Sequence, residues 1–255
     1  MIRFILVILA LVLFFVVTFP VYLILLLLRK FFPQFVAKVG QPIVAYGFKF
    51  VLFAAGVKVK ATGLENIPDE PVLFCGNHRS IADIPVFYTT VPVRSGIVAK
   101  KEIRKIPFLS WWMTLLNCLF LDRSDVKQAL KTILRGVENI KNGSSMLIMP
   151  EGTRVHDDEM LPFKEGSFKM AEKTGCPVVP IAIWKTDEVF ELHMPKVKAT
   201  TVQIHYCEPI YVSELSKEEQ KHIGLLARER IAYEINNLKK MQNLDDEQIQ
   251  EDEEI

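Results

Sequence analysis

The longest apolar run in the chain is the stretch from Phe4 to Leu28, which contains no charged side chain. As a helix it would reach about 37 Å, more than the roughly 30 Å hydrocarbon core of a bilayer. A cleaved leader is the competing reading. It fits poorly, because the run is too long and the following "RKFFPQF" has bulky residues where small ones precede a cleavage site. The pattern predicts a retained membrane anchor, kinked at Pro20 because a proline inside a helix removes one backbone hydrogen bond. A second apolar stretch, 43–56, has 14 residues and includes Lys49. That length predicts a helix lying in the interface. Residues 1–56 thus read as one span plus an interfacial helix, or as a hairpin dipping into one leaflet.

Past residue 57 the pattern changes to short β-rich runs separated by helical periodicity. Strands are predicted at 58–62, 71–75, 95–99, 118–121, 145–149, 178–183 and 201–206, and helices at 102–116, 124–141 and 164–174. In 124–141, Ser124 is positioned as N-cap, Gly143 as the stop, and Val126, Leu130, Ile133, Leu134, Val137 and Ile140 form the apolar stripe. Such alternation predicts an α/β domain, a mixed, largely parallel sheet flanked by helices, over 57–241. Its last helix, 216–241, is rich in Glu, Lys and Arg. An acidic tail, 242–255, is predicted to be solvated and disordered.

Charge refines this picture. Overall the chain carries +1, but seven acidic residues fall between Asp245 and Ile255, leaving +8 on residues 1–244. A cationic body beside a bilayer attracts anionic lipid and acidic carriers. The basic residues are dispersed and form no nucleic-acid-binding motif, so nucleic acid is not an expected partner. Arg29, Lys30, Lys38 and Lys49 follow the first apolar segment and only Arg3 and the amino terminus precede it, which predicts a cell-membrane protein with the remainder of the chain on the cytoplasmic side. The four scattered cysteines, Cys75, Cys118, Cys176 and Cys207, read as reduced, mostly buried thiols.

Ligands of a parallel sheet bind beyond the carboxyl ends of its strands. Three such ends carry unusual polar residues: "CGNHRSIAD" after Cys75, "DR" after Leu121 and "PEGTR" after Met149. His78 can take a proton near neutral pH, and Asp83 could orient it if the histidine sits in the loop and the aspartate in the first helical turn. The plainer alternative is a loop histidine beside a helix-capping aspartate. A Cys75–His78 nucleophile is a further alternative, disfavoured by the apolar strand that leads into Cys75. The chain has no G-x-S-x-G elbow and no glycine-rich phosphate loop, and the adjacent His156, Asp157 and Asp158 fit a surface loop better than metal-ligand spacing. What remains is a base for a hydroxyl belonging to the substrate. Arg123 and Arg154 suit bidentate contact with phosphate, although an arginine following an aspartate is also a common surface ion pair.

"NHRSIAD" resembles the N-H-x-x-x-x-D motif of the glycerolipid acyltransferases, and "FLDR", "MPEGTR" and "VVPIAI" resemble their next three blocks, in order, over roughly residues 57–210. Met149 stands where the family usually has Phe. The amino-terminal apolar pair also resembles that of bacterial 1-acylglycerol-3-phosphate acyltransferases. The resemblance implies transfer of a fatty acyl group from acyl-acyl carrier protein or acyl-coenzyme A to the sn-2 hydroxyl of lysophosphatidate, without cofactor or metal. It implies His78 as base and Asp83 as its orienter. Arg123, Glu151 and Arg154, with neighbouring Thr153, would hold the glycerol phosphate, with Lys100 as a further phosphate contact. The Gly152 amide and Asn77 would meet the oxyanion, and Pro180 would shape the acyl site. Acylation of another lysophospholipid or an amino-acid lipid, or an inactive lipid-binding tether, are the competing functions.

Overall fold

The computed structural model describes residues 1–156 and 159–253, with side chains of the last helix as far as Gln242. Two long helices come first, α1 (Ile2–Arg29) and α2 (Pro33–Ala55). Only Ala10, Tyr22 and Leu25 of α1 are buried, and both helices are long and apolar enough to cross a bilayer. Pro20 lies inside α1, which stays one helix.

The second helix is longer than the apolar pattern predicts, starting at Pro33 rather than at residue 43. Lys38, Gln41 and Pro42 interrupt the apolar run, but tertiary contacts hold the helix through them. Buried Gln41 donates to Val93 O at 2.8 Å and accepts from Ser95 N at 2.8 Å, so a polar side chain fastens α2 to the domain. Gly56 closes α2 in a left-handed conformation, φ +76°.

The domain is a seven-stranded sheet: β1 (Lys58–Thr62), β2 (Leu73–Gly76), β3 (Ser95–Lys100), β4 (Leu119–Leu121), β5 (Ser145–Ile148), β6 (Val178–Trp184) and β7 (Thr201–Tyr206). Their spatial order is β1-β7-β6-β2-β5-β3-β4, every neighbouring pair parallel except β6 and β7. β2 and β5 are buried along their whole length, as strands covered on both faces must be. Side-chain alternation sends Phe74, Leu147 and Ile181 to one face, where α2, α3 (Asp83–Thr90) and α4 (Leu109–Leu115) contribute. It sends Leu73, Met146 and Val178 to the other, under α5 (Val126–Lys141), α6 (Lys169–Thr174) and α7 (Ile223–Glu253).

Local chemistry moved several boundaries. Pro107 divides the helix expected at 102–116 into a 3₁₀ turn, Lys101–Lys105, and α4, because the residue before proline avoids helical angles. Asp125, not Ser124, caps α5, accepting from Lys127 N and Gln128 N. Of the stripe expected on α5, Ile133, Val137 and Ile140 are buried, while Val126, Leu130 and Leu134 face outward. The backbone of α7 stays helical through the acidic segment to Glu253, where disorder was expected. No Gly or Pro follows Gly224 to stop it. Residues 254–255 lie outside the described residues, as do Asp157 and Asp158 of the His156 run.

Candidate active site

Strands β2 to β6 are mutually parallel, so their carboxyl ends share one rim. His78 lies in the loop after β2 and Asp83 is the first residue of α3. The two meet with His78 Nδ1 2.7 Å from Asp83 Oδ2. His78 is about one-fifth exposed and Asp83 fully buried, which leaves Nε2 as the ring nitrogen available to a substrate.

Burying an unpaired carboxylate costs several kcal/mol, so what surrounds Asp83 matters. Its Oδ2 also accepts from the backbone of Arg79 at 2.9 Å and Ser80 at 3.0 Å, and its Oδ1 accepts from Thr186 Oγ1 at 2.5 Å. Four donors therefore fix the carboxylate, and the carboxylate fixes the ring.

Glu151, expected on the substrate phosphate, is buried and turned inward. Its two oxygens accept from His78 N at 2.8 Å and Leu161 N at 3.0 Å. Burial is the main reason its pKa is raised, opposed by those hydrogen bonds. A carboxylate would in any case repel a phosphate, and here it ties the histidine loop to the loop after β5. Asn77 is likewise spent on structure, its amide donating to Ile183 O at 2.9 Å and accepting from Ile183 N at 2.8 Å. The Gly152 N–H donates to Met149 O at 3.1 Å, so neither donor expected for an oxyanion is free in the way the sequence suggests. Gly152 adopts φ +82°, and the exposed residues after it, Thr153 and Arg154, make no backbone N–H bond among the described residues. Pro180 is buried inside the sheet opposite Cys75.

Cations gather on the β3, β4 and β5 side of the rim. Arg123 donates to Gly152 O, and a Cβ added at Gly152 would meet Arg123 Nη1 and Lys164 Nζ, each at 2.9 Å. Glycine at this left-handed position leaves both cations room to lie close to the backbone. Lys100 ends β3 and is exposed. Lys101 is taken by Asp122 at 2.7 Å, and that contact, with help from Ser124, holds the Asp122 carboxyl down at about 2. Arg154 is paired with Glu191 at 2.8 Å. Cys75 is fully buried, and burial raises its thiol well above the usual range, the opposite of an activated nucleophile.

Four residues escaped sequence reasoning: Lys164, Thr186, Asp187 and Glu191. Asp187 holds Arg79 at 2.6 Å, and Glu191 accepts from Ser80 Oγ at 2.6 Å and Ile81 N at 2.8 Å besides holding Arg154. All but Lys164 follow the carboxyl end of β6, the rim position that the strand-end rule points to.

A histidine–aspartate pair beside clustered cations, on a largely parallel sheet, fits an acyl-transferring enzyme, and the family model described as Acyltransferase matches residues 58–184. The 1-acyl-sn-glycerol-3-phosphate acyltransferase of Borreliella burgdorferi is 31% identical over 192 residues, 75% of this chain and 77% of that one. The yeast (Saccharomyces cerevisiae) protein of the same name is 34% identical over 167 residues, 64% of this chain but 55% of its own length. The crystal structure of the 1-acyl-sn-glycerophosphate (LPA) acyltransferase of Thermotoga maritima superposes with a TM-score of 0.68 at 27% identity, covering 88% of this chain and 97% of that one. This chain belongs to the 1-acyl-sn-glycerol-3-phosphate acyltransferase family.

Proposed function

We propose that the protein moves a fatty acyl group from a thioester, carried by acyl carrier protein or coenzyme A, to the sn-2 hydroxyl of lysophosphatidate, yielding phosphatidate. The observation that carries this reading is the His78–Asp83 pair at 2.7 Å beside the cations around Gly152. The names of the relatives supply the acceptor.

His78 Nε2 accepts the hydroxyl proton as the substrate oxygen attacks the thioester carbonyl. Asp83 holds the tautomer with Nδ1 protonated and stabilises the imidazolium. The tetrahedral intermediate then collapses, the C–S bond breaks, and the imidazolium returns its proton to the departing thiolate. Protons and electrons balance without an acyl-enzyme. We assign the oxyanion to the unengaged amides of Thr153 and Arg154, in place of Gly152 and Asn77. Arg123, Lys164 and Lys100 hold the acceptor phosphate, with Arg154 reaching it once released from Glu191.

Membrane association rests on α1 and α2. Phe4 stacks on Phe190 (ring centroids 6.0 Å apart) and Tyr22 on Trp111 (5.6 Å), so α1 lies along the domain near both its ends. This favours a hairpin resting in one leaflet, and the basic residues that follow the first apolar segment are the support for putting the catalytic domain on the cytoplasmic side. The test is purified protein in detergent with labelled acyl thioester and lysophosphatidate. Labelled phosphatidate is expected, and its absence with an intact fold would overturn the assignment.

A further inference from the structure

A cavity of about 350 Å³ opens along the β4 edge of the sheet, between that strand and α5, and Arg123, Lys164 and Lys100 are not in its lining. Three arginines from three separate elements line it: Arg29 at the end of α1, Arg104 in the turn before α4, and Arg135 on α5. None of their side chains makes a hydrogen bond or ion pair among the described residues. Glu138 is the one acidic side chain in the lining, so the cavity carries a formal charge of +2. Asn117 adds a carboxamide with no partner among the described residues, while its carbonyl accepts from Asn139 at 3.0 Å.

Like charges gathered around a concave space repel one another unless an anion sits between them. Guanidinium groups converging from different directions match the oxygens of a phosphate. The surroundings indicate which phosphate. Leu26 and Leu27, just before Arg29, are 44% and 74% exposed, and Phe31, Phe32 and Phe108 are exposed nearby. A phosphate in the cavity would thus lie beside the end of α1, whose exposed apolar side chains could meet the acyl chains. An acidic carrier protein would present a convex face and suits an open basic surface better than a recess.

We propose that this cavity binds the phosphate of an anionic membrane phospholipid, at a site separate from the acceptor pocket. The assignment rests on the reading that α1 and α2 lie in a bilayer. The triple variant R29Q/R104Q/R135Q and the charge-matched K217Q/K221Q/K240Q, on or beside α7 across the sheet, are compared with wild type by flotation with vesicles. Vesicles are phosphatidylcholine alone or phosphatidylcholine with phosphatidylglycerol. Partitioning onto the anionic vesicles should fall about fivefold for each arginine removed, and by less than about twofold in the control. Partitioning onto phosphatidylcholine should not change, and the triple variant should keep its acyl transfer in detergent.

Equal losses in the two variants, or none, overturn the site. Thermal stabilisation of wild type by inorganic phosphate in detergent, absent in the triple variant, assigns the cavity to a free anion and overturns the lipid. A higher KM for the carrier-bound donor with vesicle binding intact gives the cavity to the carrier protein instead. Wild type that floats with neither vesicle overturns the membrane reading. Wild type that floats but makes no phosphatidate overturns only the proposed reaction.

Discussion

The two halves of the rim are built differently. Around Asp83 almost every polar atom is engaged: one carboxylate has four donors, and Glu151 and Glu191 fasten its loop from two sides. On the β3, β4 and β5 side, the Lys100 and Lys164 side chains are exposed and make no hydrogen bond or ion pair among the described residues, and the Arg123 side chain has one backbone contact. Proton transfer needs a base fixed within a few tenths of an ångström before substrate arrives. A doubly charged phosphate can organise flexible cations as it binds. On the proposed reaction, the half that would perform the chemistry is preorganised, and the half that would grip the headgroup is left for the ligand to complete.

The largest effect should come from breaking the fixed half at its centre. His78→Ala removes the proposed base, and kcat is expected to fall by about 10²–10⁴-fold with the circular dichroism spectrum unchanged. Turnover near that of wild type would remove His78 from the mechanism. On the flexible half, Arg123→Lys keeps the charge and loses the planar fork, so kcat/KM for lysophosphatidate should fall by roughly ten- to a hundredfold. The penalty should shrink with an acceptor lacking phosphate, and the donor KM should hardly move. If only the donor KM rises, Arg123 belongs to the carrier.

Thr186 sharpens the comparison, because it touches only the fixed half. Thr186→Val leaves one Asp83 oxygen without its donor in a buried setting. A kcat lower by about tenfold is expected, with the acceptor KM retained and Thr186→Ser restoring the rate. A change confined to KM would mean that Thr186 shapes the pocket and does not act through Asp83. The smallest effect should be at Cys75. Cys75→Ala, beside the motif but inside the core, should keep activity within about twofold while costing about 1 kcal/mol in unfolding free energy. Loss of all activity in a folded variant, with a thioester trapped on wild-type Cys75, would replace direct attack by a covalent route.

The amino-acid sequence alone determined the alternation of strands and helices, the clustering of polar residues at strand ends, the spacing that lets His78 and Asp83 meet across a loop and a first helical turn, and the apolar amino terminus. Each is a local property, carried by periodicity, turn residues and short spacings that neighbouring side chains dictate. Tertiary structure decided what each polar residue faces. Glu151 and Asn77 share motifs with the candidate site residues, yet they are hydrogen-bonded into the frame, because backbone groups brought from Leu161 and Ile183 meet them there. Thr186 and Glu191 lie in a segment whose composition marks nothing, and they matter because β6 ends beside β2. Lys164 lies 41 positions after Arg123 in the chain, and the two come together only around Gly152. The extent of α2 was hidden for the same reason: whether Gln41 breaks a helix or anchors it depends on the Val93 carbonyl and the Ser95 amide, which only the folded chain places within its reach.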